Sequence, residues 1–289
     1  MAVLSVLEEV EAFCAYLSAK ESSRHTLRAY RRNVFDFLTA VKVAPKAVTR
    51  QVLLGYQFKL SKAGAQPRTI RRAFAAISSF FKFLIYSDRL KTNPCLGLIM
   101  PKVSRRLPVV LSVEEIDRML AMPTSCYWQE MDRIVVSVLW ATGARLGELA
   151  AATAEDLNLK DSTLRVIGKG NREAALMLTP KTSDLLTTYL EHRPASKYQA
   201  LLLDISGAAY GVNRIYASVR RCARRAGITK RVHPHLIRHS IATAMLERGC
   251  ELRVIQEFLR HKNISTTTIY AQVSTARLRS EYTKFHPQA

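Results

Sequence analysis

The chain has 289 residues, with 44 lysines and arginines against 23 aspartates and glutamates and a formal net charge of +21. At 48% apolar residues it can bury a normal core, which excludes a disordered polyelectrolyte. No apolar run reaches the roughly 18 residues a membrane helix needs, so no transmembrane segment is expected. One-signed charge on this scale opposes compaction unless a polyanion offsets it, and nucleic acid is the first candidate partner.

The first residues, "MAVLSVLEEVEAF", carry acids where an export signal would carry basic residues, so a cytoplasmic location is expected. The five cysteines (Cys14, Cys95, Cys126, Cys222, Cys250) are scattered and form no C-x-x-C pair. A disulfide framework and a structural zinc site both lose support, and a reducing cytosol fits.

Residues 1 to about 100 read as four or five amphipathic helices. In "SSRHTLRAYRRNVFDFLTAV", Leu27, Tyr30, Val34 and Phe37 form an apolar stripe, opposite Arg24, Arg28, Arg31 and Arg32. In "QPRTIRRAFAAISSFFKFLIYSDRL", Ile70, Phe74, Ile77 and Phe81 face in, leaving Arg68, Arg71, Arg72 and Lys82 to face out. Up to residue 110 there are 19 basic and 6 acidic residues, net +13, while the remaining 179 residues hold 25 and 17, net +8. The smaller part is the more basic, as expected of a helical module lying against phosphates.

The stretch "PKVSRRLPVVLS" (101–112) has two prolines and no helical period, and is the best linker candidate. Ser112, with Glu115 three residues on, has the capping-box spacing for a following helix. The expected division is residues 1–106 as a helical DNA-binding domain and 107–289 as a second domain.

The second part is mixed. "MDRIVVSVLWATGARLGELAAAT" reads as a long apolar helix interrupted at Thr142-Gly143. "STLRVIGKGNREAALMLT" reads as a hairpin turning at Gly168-Lys169-Gly170-Asn171. Helices are expected over 180–194, 210–226, 235–248 and 251–260, with another around Tyr270. The fold class expected is mainly α with a small β-sheet.

Four fragments could carry chemistry. "HPHLIRHS" sets His235 and Arg238 at i and i+3 near a helix start. Three histidines (His233, His235, His239) invite a metal reading, but a helix N-terminus with an arginine beside it disfavours a cation, and no metal is expected. Arg145 stands in an apolar segment with Glu148 three residues later. It is either an internal ion pair or an arginine aimed at a phosphate and steadied by Glu148. Lys169, between two glycines at the hairpin tip, is either a solvated turn residue or a positioned acid, with Arg172 nearby for a backbone contact. His261 closes a helix nine residues before Tyr270, and Tyr270 alone would read as a core tyrosine.

Together these fragments resemble the tyrosine recombinase, or phage integrase, family, in which Arg, Lys, His-x-x-Arg, His and Tyr occur in that order. Here they are Arg145, Lys169, His235-Leu-Ile-Arg238, His261 and Tyr270. The N-terminal part resembles the family's core-binding, SAM-like domain, and length and tail are most similar to the XerC and XerD type. Two departures stand out: Leu259-Arg260-His261 replaces the family's usual Leu-Gly-His, and Tyr270-Ala271-Gln272-Val273 its Tyr-x-His-Val.

The resemblance implies a site-specific recombinase that cuts and rejoins double-stranded DNA through a 3′-phosphotyrosine, with no cofactor, metal or ATP. Tyr270 would be the nucleophile, Arg145, Arg238 and His261 would bind the phosphate, Lys169 would be the general acid and His235 the proton acceptor. Glu148 would support Arg145. DNA contacts are expected from Arg28, Arg31, Arg32, Arg68, Arg71, Arg72, Arg172 and Arg214, with Arg220, Arg221, Arg224 and Arg225 on or beside a helix able to enter a groove. Residues 274–289 would be exchanged between protomers of a homotetramer, or of a heterotetramer with a paralogue, on two DNA sites. An accessory activator protein fits, and a membrane does not. The role would be resolution of chromosome, plasmid or transposon multimers in the nucleoid. Integration of mobile DNA, a type IB topoisomerase and a catalytically silent DNA-binding protein are the alternatives.

Overall fold

A computed structural model describes residues 3–20, 24–103, 109–168, 172–260 and 275–289. The chain divides into two compact units, residues 1–107 and 108–289. No helix of the described residues is long and apolar enough to cross a membrane.

The first unit is built from α1 (Val3–Ala19), α2 (Arg24–Val41), α3 (Arg50–Lys62) and α4 (Pro67–Tyr86). The starts of α3 and α4 have a local cause. Thr49 caps α3 by accepting from the Val52 N–H, and Pro67 occupies the first turn of α4, where its missing N–H costs nothing. The apolar stripes do what their spacing predicts. Val34, Phe37, Ile70, Phe74, Ile77 and Phe81 are buried, and Phe13 stacks edge-on against Phe80 at 5.5 Å. Arg28, Arg31, Arg32, Arg68, Arg71, Arg72 and Lys82 are exposed.

The second unit surrounds one helix whose C-terminal half is fully buried. Its elements are α5 (Val113–Ala121), α6 (Tyr127–Thr142), α7 (Leu146–Ala151), β1 (Leu157–Asn158), β2 (Thr163–Gly168), β3 (Arg172–Met177), α8 (Pro180–Glu191), α9 (Val212–Arg225), α10 (Pro234–Glu247), α11 (Leu252–Phe258) and α12 (Thr275–Phe285). Ser112 and Glu115 form the capping box that starts α5. The β-strands make one antiparallel sheet in the order β1-β2-β3, with Gly168 opposite Arg172 as the last pair before the connection between β2 and β3. Helix α6 is buried from Ile134 to Thr142 and packs against α5, α8, α9 and α10. That enclosure explains its apolar run, because a helix surrounded by protein has no face to give to water.

Two contacts fix the ends that matter for the site. Helix α6 stops at Gly143, which has φ +57. A Cβ there would lie 2.7 Å from Leu259 Cδ2 and 3.2 Å from Phe258 Cε1, so only glycine lets the end of α6 meet the end of α11. At the other edge, the chain's own α12 docks beside α11. Tyr282 is buried and donates its hydroxyl to the Ala141 carbonyl at 3.1 Å. His286, just past α12, is 2% exposed; its Nε2 donates to the Trp140 carbonyl at 3.2 Å, while its Nδ1 accepts from the Gln288 N–H.

These partners fit a neutral imidazole. Burial, reinforced by Arg248, pushes the His286 pKa down to about 4 against the hydrogen bond to Trp140. The unfolded chain, near 6.5, therefore takes up the proton first as the pH falls. Stability fully present above about 6.5 is lost progressively toward 4. Urea unfolding of the whole chain should show about 2 kcal/mol less stability at pH 5 than at pH 7 from this ring alone. In His286→Gln the acid-induced loss should shrink by that amount; an unchanged loss would assign it elsewhere.

Candidate anion site of the second unit

Three loops and helix ends converge around Glu148. Arg145 lies at the N-cap of α7, in extended backbone (φ −75, ψ 146), just past the interruption expected at Thr142-Gly143. The left-handed turn at Gly143 ends α6 two residues earlier. Glu148 is buried and closes the turn. Its Oε2 accepts from the Arg145 N–H at 2.8 Å, and its Oε1 accepts from Arg145 Nη1 at 2.7 Å. The ion pair foreseen between these two residues is present, and it leaves the guanidinium aimed and partly exposed.

Arg238 comes from α10, which begins at Pro234 with His233 as its cap; the His233 ring accepts from the Leu236 N–H at 3.1 Å. Arg238 is 7% exposed and donates through both terminal nitrogens, to the Gly143 carbonyl and the Leu259 carbonyl. It thus joins the C-terminal ends of α6 and α11, and burying a guanidinium for that purpose alone would be expensive. A guanidinium has five N–H donors, and two bonds leave three for another acceptor.

Arg260 completes the group. Its Nη2 donates to Glu148 Oε2 at 2.8 Å, and its own carbonyl accepts from Arg145 Nη2 at 2.8 Å. The electrostatics follow from this crowding. Burial pushes the Arg238 pKa down to about 10, and the charges of Arg145 and Arg260 push the same way, yet it stays protonated at neutral pH. Burial would raise the Glu148 carboxyl, but hydrogen bonds from Arg145 and the charges of Arg260 and Arg145 hold it below the ordinary carboxylate value. Two guanidiniums therefore pair with one ionised carboxylate and a third lies within its field, a half-buried surplus of two positive charges suited to an oxyanion.

The other expected site residues fall differently. Lys169, His261 and Tyr270 lie outside the described residues, as does the expected helix around Tyr270. Arg172 begins β3. His235 is exposed on the first turn of α10 and lines a surface cleft with Arg231, His233 and His239. His233 already commits one ring nitrogen to capping, and no metal-holding cluster of three His, Cys, Asp or Glu occurs among the described residues.

Several candidate DNA-contacting arginines have protein partners. Arg31 pairs with Glu11 at 2.6 Å, Arg32 with Asp36 at 3.7 Å and Arg214 with Asp204. Arg221 forks onto the fully buried Asp132, with Nε to Oδ2 at 3.0 Å and Nη2 to Oδ1 at 2.6 Å. This pair bolts α9 to α6, and a side chain held this way is poorly placed to leave for a groove. Arg220 and Arg224 are exposed on the same helix.

The residue the sequence reading passed over is Arg260. Its signal was visible as an arginine in the place of a glycine, but only the fold shows its side chain meeting Glu148.

Comparison with known proteins identifies the family. The phage integrase family matches residues 110–277, and the phage integrase N-terminal SAM-like domain matches residues 10–87. Tyrosine recombinase XerD of Listeria monocytogenes (strain ATCC BAA-679 / EGD-e) is 31% identical, over 97% of this chain and 99% of its own length. Tyrosine recombinase XerD of Staphylococcus epidermidis (strain ATCC 35984 / RP62A) is 33% identical over the same shares, 97% and 99%. Among solved structures, XerA recombinase matches 98% of this chain and 99% of its own with a TM-score of 0.52 at 29% identity. A lambda integrase dimer bound to a core site shares the fold with a TM-score of 0.71 at 14% identity, over 92% of this chain and 98% of its own. With a family match over more than half its length and relatives above 30% identity across nearly all of it, the chain belongs to the phage integrase family of tyrosine recombinases and is XerD-like.

Proposed function

We propose that this protein recombines double-stranded DNA at a specific site, cutting and rejoining strands through a covalent bond between Tyr270 and a 3′ phosphate. The observation that carries the reading is the pairing of Arg145 and Arg238 in a buried group with more positive charge than Glu148 can neutralise. Phosphodiester cleavage accumulates charge on the non-bridging oxygens, and fixed guanidiniums stabilise it bidentately where lysines would not.

In the proposed reaction, the Tyr270 oxygen attacks the phosphorus as His235 takes its proton. The bond to the 5′ oxygen breaks, and Lys169 supplies that oxygen's proton. His261 donates to a non-bridging oxygen. The phosphotyrosine conserves the bond, so a 5′ hydroxyl from a second duplex reverses the step on a new strand without ATP or metal.

The basic faces of α2 and α4, through Arg28, Arg31, Arg32, Arg68, Arg71 and Arg72, would lie against phosphates, and Arg172 and Arg214 would add contacts from the catalytic domain (107–289). The ion pairs of Arg31, Arg32 and Arg214 are exposed and exchange readily for phosphate. The seat that α12 occupies on its own chain would be the seat of a neighbour's α12 in a tetramer, since every protomer carries the same surface. The biological role we favour is resolution of multimeric chromosomes, plasmids or transposons, with or without a paralogue and an activator.

The test is covalent capture. A binding site is selected from random duplex DNA with the wild-type protein, then nicked near its centre so that cleavage releases a short fragment and traps the product. The expected result is a protein–DNA species that survives denaturing electrophoresis. Tight, salt-sensitive binding with no such species would reduce the protein to a DNA-binding module.

A further inference from the structure

We propose that Arg260 is a third guanidinium of the phosphate cradle, set there to leave Arg145 and Arg238 electrostatically undercompensated so that the cradle holds a DNA phosphate more strongly. This deepens the phosphate reading above and rests on it.

Four observations converge. First, Arg260 has φ +53, a left-handed backbone that side chains with a Cβ rarely adopt, so the position does not favour arginine for conformational reasons. Second, its side chain is only 21% exposed, and its Nε and Nη1 atoms are buried with no hydrogen-bond partner. Buried guanidinium donors ordinarily find acceptors, and a phosphate brings several. Third, its Nη2 takes Glu148 Oε2 while the Arg145 guanidinium takes Oε1, so it competes for the carboxylate that would otherwise neutralise the Arg145 side chain alone. Fourth, its own carbonyl holds Arg145 Nη2, so side chain and backbone of one residue fix the catalytic arginine's surroundings from two directions. Arg238, buried within range of both other arginines, feels the same surplus. A structural filler would need none of this charge.

The experiment compares wild type, Arg260→Gly and Arg260→Lys on the nicked selected duplex. Glycine suits the left-handed backbone and leaves Glu148 paired with Arg145, so the variant should fold. Its covalent-product rate should fall about 30-fold, below the roughly 100- to 1,000-fold typical of losing a direct oxyanion donor. Duplex affinity should stay within about twofold, since one of many phosphate contacts is altered. Lysine should recover part of the rate. On a duplex whose cleaved phosphate is a neutral methylphosphonate, the defect of Arg260→Gly should shrink. Wild-type speed in Arg260→Gly, or an equal defect on phosphate and methylphosphonate, overturns the proposal.

A second arm needs no cleavage. Inorganic phosphate should raise the melting temperature of wild type and of the charge-matched control Arg118→Gln, at an exposed position on α5, alike, and that of Arg260→Gly by roughly half as much or less. Equal shifts in all three overturn the cradle. Should wild type form no covalent product, the recombinase reading fails while this arm still decides whether Arg260 belongs to an anion site.

Discussion

Tyr270→Phe is expected to abolish covalent capture and leave duplex binding unchanged. Removing one oxygen deletes the nucleophile and nothing else; the ring keeps its volume and the arginine group keeps its geometry. Because the proposed reaction passes entirely through the phosphotyrosine, no parallel route remains, and the product should fall below detection rather than by a fixed factor. The binding control is what gives the result meaning. Affinity is expected to rest on the exposed arginines of α2 and α4, which the substitution leaves in place, so the salt dependence of binding should superimpose on that of wild type. A variant that still forms the product at a measurable rate would place the nucleophile on another side chain.

Arg238→Lys is expected to lower the rate of covalent-product formation by about 100- to 1,000-fold, equivalent to about 3–4 kcal/mol of transition-state stabilisation. The charge survives this substitution and the fork does not. Arg238 donates to two carbonyls at once, those of Gly143 and Leu259, and keeps three N–H groups for a phosphate. An ammonium has three donors in all and cannot span both carbonyls while facing an oxyanion. The same loss loosens the join between the ends of α6 and α11, so thermal stability should drop modestly as well. The two effects separate in the measurement: single-turnover capture at saturating enzyme reports the chemistry, and a melting curve reports the join. A lysine variant with wild-type rate would reduce Arg238 to a structural clasp.

Much of the fold was legible because its helices carry their own signals. The stripe through Ile70, Phe74, Ile77 and Phe81, the Ser112–Glu115 capping box and the glycine at the end of α6 are local facts, and each acts within a turn or two of the chain. The order of site residues was legible for a different reason, as a spacing shared with a family. What sequence could not carry was the long-range bookkeeping of charge. Arg221 reads like any arginine of a basic helix, yet it answers Asp132, 89 positions away, whose side chain is fully buried. The break before Arg145 is legible at Gly143, but that Arg145 caps α7 and folds back onto Glu148 is not. Arg260 reads as a departure that removes nothing, and only its approach to Glu148 gives it a task. Tyr282 and His286 in the tail look like polar surface residues until their partners, the backbone carbonyls of Ala141 and Trp140, are brought to them by the fold.

The proposed reaction turns on one bond, between the Tyr270 oxygen and a 3′ phosphate. The most direct measurement is to digest the trapped protein–DNA species with protease and nuclease and identify the modified peptide by mass spectrometry, labelling the released strand end in parallel. The expected result is a nucleotide attached through its 3′ phosphate to the peptide containing Tyr270, with a free 5′ hydroxyl on the other strand end. A nucleotide on any other residue, or a linkage through a 5′ phosphate with a free 3′ hydroxyl, would contradict it.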